Sequence, residues 1–226
     1  MRGLKKERIS GMFECSLLPD GTYRIDALSD RATKGSIVIP EGVSEIGYKA
    51  FWRCEGITAV KIPEGVSVLG EYAFVGCSSL KKIKLPSSVT EIRDGAFCNC
   101  SSLVELSIPK GVSSVSDFTF SGCEALKKVN LHSEVKSVGY ESFKGCASLE
   151  QIELPEKMTR IGWKAFNGCN KLKSITIPET VSDVGETVFT DCSALEHVYC
   201  KRAAPSFGWA RNWAEGSNAE IHWGAN

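Results

Sequence analysis

Hydrophobic positions recur along most of the chain with a period of 23 residues. In each period an apolar pair such as Ile83 and Leu85 alternates with polar residues, a spacing of two that is typical of a half-buried β-strand. A proline such as Pro86 follows the strand in most copies and predicts that the chain leaves the sheet there, because proline lacks the N–H that a ladder needs. Two residue types mark the period without interruption: Phe51, Phe74, Phe97, Phe120, Phe143, Phe166 and Phe189, with Cys54, Cys77, Cys100, Cys123, Cys146, Cys169 and Cys192.

The second half of the repeat predicts a shorter return strand and a tight turn. Val89 and Ile92 anchor the return side in the clearest copy. Ala96, Phe97 and Cys100 then place apolar groups three residues apart, which suits one helical or 3₁₀ turn and leaves no room for a longer helix.

Glycines fill two further rows of the repeat, one after the second apolar pair, as at Gly70, and one before the cysteine, as at Gly76. We expect positive φ in both rows. Asn99 and Asp191 replace glycine in the second row, and both residue types tolerate the left-handed region. We therefore interpret the second row as a helix C-cap.

A single repeat is too small to bury its apolar residues, but copies stacked at the inter-strand spacing of ~4.8 Å form continuous apolar rows. The sequence therefore predicts an α/β, β-rich repeat solenoid with a concave parallel sheet of about eight strands, short outer strands and single helical turns. Four segments follow: a flexible lead at 1–12, a capping hairpin at 13–33, seven repeats plus a partial one at 34–200, and a Trp-rich cap with a closing strand at 201–226.

The clearest copy of the repeat reads Leu80-x-x-Ile83-x-Leu85-Pro86-x-x-Val89-x-x-Ile92-x-x-x-Ala96-Phe97-x-x-Cys100. This pattern resembles the leucine-rich repeats of the Bacteroides surface protein A (BspA) type, also called the treponemal type, over residues 34–200. The resemblance implies a right-handed leucine-rich-repeat superhelix without catalytic activity. It also implies a surface or secreted protein that adheres to host proteins or to other cells.

Composition and charge limit the classes of partner that the protein is expected to bind. Lys plus Arg and Asp plus Glu both number 27, and this zero net charge disfavours binding to nucleic acid through bulk charge. We found no apolar run of the roughly 18 to 20 residues that a membrane-spanning helix needs, and no signal peptide or anchor. A soluble, monomeric protein is expected, and a cytoplasmic location is the alternative to the surface.

Chemistry at a catalytic or metal centre is not indicated. The cysteines fall on core rows, so we expect free thiols rather than disulfides or zinc ligands, with Cys98 nearest the surface. His132, His197 and His222 are predicted to lie far apart, and no nucleophile, metalloprotease or phosphate-loop motif occurs. We therefore expect no enzyme activity, no cofactor and no metal.

Binding, if present, is expected on the outward positions of the main sheet, because the inward ones are committed to packing. Lys82, Glu105 and Lys128 alternate in charge along one outward row, which predicts cross-strand ion pairs. Lys61 beside Lys84 instead predicts a basic corner that attracts an acidic protein partner. The candidate partner-binding residues are Lys61, Lys81, Lys82, Lys84, Glu105, Lys128, Asn130 and Glu153.

Aromatic residues suggest a second candidate surface. Tyr48, Tyr140 and Trp163 share one variable row of the repeat, and stacked aromatic residues at a turn could bind a sugar ring. The favoured interpretation is that they cover the corner that neighbouring glycines leave open. The alternatives to a protein-binding module are therefore a carbohydrate-binding surface protein and a purely structural spacer.

Overall fold

The computed structural model of the chain describes residues 6–9 and 11–225. Residues 1–5 and 10 of the predicted flexible lead lie outside the described residues. The N-terminal end is an antiparallel unit of β1 (Lys6–Ile9), β2 (Phe13–Leu17) and β3 (Tyr23–Leu28). Gly21, with φ of 85°, turns the chain between β2 and β3, and the Asp20 carboxylate accepts a hydrogen bond from the Thr22 amide at 2.9 Å.

Among the described residues, eight parallel strands, one from each of eight coils, form the main sheet, and they place equivalent residues of successive repeats side by side. Their registers are 23 residues apart, as for Glu105 opposite Lys128. Ladder hydrogen bonds divide the sheet into three groups, and the coil around Ile152 has no assigned strand. The strands are β4 (Gly35–Val38), β6 (Ile57–Lys61), β8 (Lys82–Lys84), β10 (Glu105–Ser107), β12 (Lys128–Asn130), β15 (Ser174–Ile177), β17 (His197–Cys200) and β19 (Glu220–Trp223).

Short strands on the opposite, outer side of the coils agree with the prediction of brief return strands. They also pair in parallel, and β3 joins them at the N-terminal end. The strands are β5 (Val43–Ile46), β7 (Val68–Leu69), β9 (Glu91–Ile92), β11 (Ser114–Val115), β13 (Ser137–Val138), β14 (Arg160–Ile161), β16 (Asp183–Val184) and β18 (Gly208–Trp209).

The outer ladder has a gap between β9 and β11, where Arg93 and Ser116 occupy the row that other coils fill with glycine. Side chains bridge the two coils instead. The Ser116 hydroxyl donates to the Ile92 carbonyl at 2.6 Å, and the Asp94 carboxylate accepts from the Asp117 amide at 3.2 Å. The ladder is therefore interrupted where two adjacent coils both carry a side chain in this row, and polar groups connect the coils there.

The core between the two sides is a stack of phenylalanine rings. Successive rings of the seven repeats lie 4.9 to 5.8 Å apart, with interplanar angles of 4° to 19°. Phe13 ends the stack edge-on at 6.2 Å from Phe51, and Trp213 ends it edge-on at 6.1 Å from Phe189. The rings at both ends belong to the segments that flank the repeats, so the flanks cover the open ends of the core.

The predicted helical turn is wrong: the described residues contain no helix, and the segment around Phe97 consists of turns. Alternate amides explain the difference. The amides of Ala96, Cys98 and Cys100 bond three residues back within their own coil. Those of Gly95, Phe97 and Asn99 instead donate to carbonyls of the next coil. Because every second amide is used between coils, no helix can propagate.

Only one of the two glycine rows has the predicted conformation. Gly76 and its equivalents have positive φ, as do Asn99 and Asp191, although no helix is present for them to cap. Gly70 and Gly162 belong to the other row and do not have positive φ. A Cβ added to Gly162 would lie 2.4 Å from the backbone carbon of Gly139, so this row is glycine because adjacent coils approach so closely.

A further row of positive φ has no glycine signature in the sequence. It lies four residues before the row of Gly76. Its members are mostly bulky or charged residues, so residue type alone does not reveal it: Lys49, Tyr72, Gly95, Phe118, Glu141, Lys164 and Thr187.

Candidate functional site

The main sheet face, defined as the outward side chains of the eight strands and of the coil around Ile152, consists of two rows. The register of the strands confirms that equivalent outward residues are neighbours, as for Lys61 and Lys84. The inward residues between them, such as Val60 and Ile83, are buried. The first row is Ser36, Ala59, Lys82, Glu105, Lys128, Gln151, Ser174, His197 and Glu220, and the second is Val38, Lys61, Lys84, Ser107, Asn130, Glu153, Thr176, Tyr199 and His222.

A basic corner, formed by Lys61, Lys81, Lys82 and Lys84, lies toward the N-terminal end of this face. All four side chains are exposed. Within the described part of the chain, none of them takes part in an ion pair. Like charges on adjacent strands repel one another. The corner therefore presents positive charge that the protein itself does not neutralise.

The predicted cross-strand ion pairs do not form. Glu105 and Lys128 are register partners, yet neither they nor Lys82 make an ion pair among the described residues. The contact that does form nearby is polar: Asn130 donates from Nδ2 to the Ser107 hydroxyl at 2.9 Å. Glu153 is exposed one coil further along. The centre of the face thus offers both signs of charge to solvent.

The three candidate aromatic residues do not form one patch. Tyr140 and Trp163 pack on each other with centroids 4.7 Å apart, and Phe118 packs edge-on against Tyr140 at the same distance. The ammonium group of Lys164 lies 4.4 Å from the Trp163 ring centroid. Tyr48, which is 60% exposed, is separated from this group by three coils.

Two of the histidines are neighbours, which corrects the prediction that all three lie far apart. His197 on β17 and His222 on β19 face the same side of the sheet, with His197 Nδ1 3.0 Å from His222 Nε2. The Glu220 carboxylate lies 3.7 Å from both of these nitrogens. We call these three residues the histidine cluster. It occupies the C-terminal end of the main sheet face, opposite the basic corner.

The repeated cysteines are free thiols, as predicted. From the second copy on, each thiol donates to the carbonyl of the phenylalanine in the preceding coil, as from Cys123 to Phe97 at 3.1 Å. Burial raises the pKa of the Cys54 and Cys192 thiols to about 11, and it raises the pKa of the deeper ones further. These thiols stay protonated at neutral pH and act in packing between coils.

Cys98 differs from the cysteines of that row because it is only partly buried. Burial and the nearby Glu141 carboxylate raise the pKa of its thiol. A raised pKa leaves little thiolate at neutral pH, so Cys98 lacks the activation that a nucleophilic cysteine requires.

Comparison with known families identifies the repeat. The model of the BspA type leucine rich repeat region matches six copies, over residues 30–147 and 116–209. The chain belongs to the BspA-type leucine-rich repeat family. The β-solenoid of stacked coils and parallel sheets agrees with this assignment, while the right-handed, concave form stays a prediction.

Solved structures with the same fold include one protein described as a bacterial cell-surface protein. A leucine-rich cell-surface protein of Faecalibacterium prausnitzii A2-165 is 27% identical, with a TM-score of 0.70 over 88% of this chain and 71% of that one. A leucine-rich repeat protein of T. pallidum shares the fold at 24% identity and a TM-score of 0.61, over 96% of this chain and all of its own. No curated protein matches significantly.

Family membership supports a repeat-based binding or structural role for this BspA-type chain, and leucine-rich repeat proteins are generally non-catalytic. Among the described residues, no helix is both long and apolar enough to cross a membrane. The histidine cluster is the group of candidate residues that sequence reasoning missed. Its signal was available, because Glu220 follows His197 by one repeat length of 23 residues and therefore continues the outward row into the closing strand.

Proposed function

We propose that this BspA-type chain is a non-catalytic protein-binding module whose main sheet face contacts an acidic surface of a partner through the basic corner. The observation that carries the proposal is the fixed register of Lys61, Lys82 and Lys84, all exposed and none ion-paired within the described residues. Side chains committed to packing or to internal ion pairs would not present charge in this way.

Rigidity supports a binding role for this face. The lysines of β6 and β8 lie on strands that pair with each other, and their inward neighbours, such as Val60 and Ile83, are buried in the continuous core. A partner would therefore order long side chains but not the backbone, and this limits the entropy lost on binding. Exposed charges of this kind chiefly accelerate association and make it sensitive to salt.

We further propose that the partner is a protein of a host or of another cell, met at the bacterial surface. The leucine-rich cell-surface protein of Faecalibacterium prausnitzii supports this location by similarity. The carbohydrate alternative has weaker support, because the Tyr140 and Trp163 rings pack against each other and Lys164 lies over Trp163. A sugar would have to displace these contacts before it could stack.

The test compares the wild-type chain with a variant carrying Lys61→Glu, Lys82→Glu and Lys84→Glu. Each is immobilised in reduced form, exposed to detergent extracts of host and bacterial surfaces, and the retained proteins are identified by mass spectrometry. The matched control carries Lys110→Glu, Lys136→Glu and Lys171→Glu, three exposed lysines outside the main sheet strands, so both variants have the same net charge.

A protein retained by the wild type and the control but lost with the corner variant supports the proposal. The purified partner is then titrated against each chain. We expect its dissociation constant for the corner variant to be at least about tenfold higher than for the wild type. Retention by all three chains would contradict a site at the basic corner. A wild-type chain that retains nothing, followed by glycan binding that depends on Tyr140 and Trp163, would favour the carbohydrate alternative.

A further inference from the structure

The histidine cluster places three metal-binding atoms at the corners of a small triangle. His197 Nδ1 and His222 Nε2 lie 3.0 Å apart, and one oxygen of Glu220 is 3.7 Å from each. Ligands bound at ~2.0–2.1 Å from a tetrahedral Zn²⁺ are separated by ~3.3–3.4 Å. The observed separations lie on both sides of that value, so small side-chain rotations would bring all three atoms within bonding distance of one ion.

The fold, rather than a flexible loop, brings these side chains together. His197 and Glu220 are cross-strand partners in the ladder between β17 and β19, and His222 lies two residues beyond Glu220 on the same face. Tyr199 supports the group, since its ring stacks on that of His222 with centroids 4.8 Å apart and an interplanar angle of 18°. On the other side of β19, Trp223 packs against Trp209 and Trp213.

The donor set and its exposure indicate which ions would bind. Two imidazole nitrogens and one carboxylate oxygen suit Zn²⁺ and its first-row neighbours better than Ca²⁺ or Mg²⁺, which prefer oxygen ligands. The side chains of His197, His222 and Glu220 are 39%, 32% and 70% exposed, so an ion can enter from solvent. Water can fill the remaining coordination position.

We propose that His197, His222 and Glu220 form a binding site for a divalent first-row transition metal ion, with Zn²⁺ as the reference ion. Each imidazole donates the lone pair of the nitrogen that faces the cluster, and the carboxylate supplies the third ligand. In the metal-free protein, the two imidazoles can share one hydrogen bond over the same 3.0 Å. Metal binding replaces that bond.

The bound ion would join the last two strands of the main sheet through their side chains. Within the part of the chain that the structure describes, β19 is the last strand, and its one ladder partner is β17. A ligand that binds only the folded chain raises its stability by mass action. Zn²⁺ is therefore expected to raise the melting temperature of the protein, and the metal need not take part in the proposed protein binding.

Isothermal titration of the metal-depleted protein with Zn²⁺ tests the site. The parent for this experiment carries Cys98→Ser, which removes the partly buried thiol as a competing ligand. Cys200, on β17 itself, is fully buried on the inward side of the strand, opposite the face that carries His197, so it does not reach the cluster. We expect one Zn²⁺ per chain, and at least about tenfold weaker binding after His197→Ala or His222→Ala.

The control is His132→Asn, which removes a histidine outside the cluster and should leave Zn²⁺ affinity unchanged. Circular dichroism checks that each variant is folded, and Glu220→Gln provides a milder change that keeps the side-chain volume. Zn²⁺ should raise the melting temperature of the parent and of His132→Asn but not of His222→Ala. A parent that shows neither a heat of binding nor a higher melting temperature with Zn²⁺, or cluster variants that bind Zn²⁺ as the parent does, would overturn the proposal.

Discussion

The inward and outward residues of the main sheet lie on the same strands and share the same register, yet their residue types are constrained differently. Inward positions repeat the same aliphatic type, as at Val60, Ile83 and Leu106, while the outward positions beside them hold alanine, lysine and glutamate. An inward residue contacts its own equivalents in adjacent coils, so its shape must recur. An outward residue contacts solvent, so repetition marks packing and variation marks the surface available for binding.

Shortening a ring in the middle of the phenylalanine stack should produce the largest effect. Phe120 lies 5.8 Å from Phe97 and 5.4 Å from Phe143, and it is fully buried. Phe120→Ala should lower the free energy of unfolding by about 3 to 5 kcal/mol, because the cavity cannot be filled from either side. Urea unfolding followed by circular dichroism measures this. Lys128→Ala on the outward side serves as the control and should change stability by less than about 0.5 kcal/mol.

Adding a methyl group between coils should have the next largest effect. Gly162→Ala would place its Cβ 2.4 Å from the Gly139 carbonyl carbon and 2.5 Å from the Tyr140 amide nitrogen. Because backbone atoms must move apart, we expect a loss of about 1 to 3 kcal/mol. Gly145→Asn is the matched control, since its row already holds Asn99 and a Cβ there meets nothing closer than 3.8 Å. Thermal melts in which both variants lose equal stability would contradict the close-approach explanation.

Removing one thiol from the cysteine row should cost less. Cys123 donates to the Phe97 carbonyl at 3.1 Å and is fully buried. Cys123→Ala should lower the free energy of unfolding by about 1 to 2 kcal/mol through the lost volume and the lost hydrogen bond. Cys98→Ser, outside the row, provides the comparison. Chemical denaturation that shows no difference between the two variants would argue against a packing role for the row.

Reversing the basic corner should have the smallest effect on stability and a large effect on binding. In the variant with Lys61→Glu, Lys82→Glu and Lys84→Glu, the register partners 61 and 84 still carry like charges. No internal ion pair is lost among the described residues, so the melting temperature should stay close to that of the wild type. A strongly lowered melting temperature would show that the corner serves the fold instead.

The packing of the inward residues could be predicted from the sequence because it depends on residue type and spacing. The strand around Ile83, the stacked phenylalanines and the buried thiols all follow from a repeat whose equivalent residues must touch. The predicted helical turn failed for a non-local reason. The Phe97 amide donates to Thr119 in the next coil, and no spacing within one repeat reveals that bond.

Two other features needed the relative position of the coils. The close approach at Gly162 has the same sequence signature as positive φ, since glycine satisfies both requirements. The histidine cluster required the register of the closing strand, which places Glu220 opposite His197. Clusters of functional side chains on the outward face of a repeat protein can therefore be identified once each residue is assigned to a row of the stacked coils. This assignment must include residues outside the recognisable repeats.

Lysine footprinting of the complex tests most directly whether the main sheet face is the binding surface. The wild-type chain would be acetylated briefly with and without its purified partner, and modification at each lysine would be quantified by mass spectrometry. We expect protection at Lys61, Lys81, Lys82 and Lys84, with Lys110, Lys136 and Lys171 modified equally in both samples. Protection of the latter three, with the basic corner still fully reactive, would place the partner elsewhere and contradict the proposed role of the face.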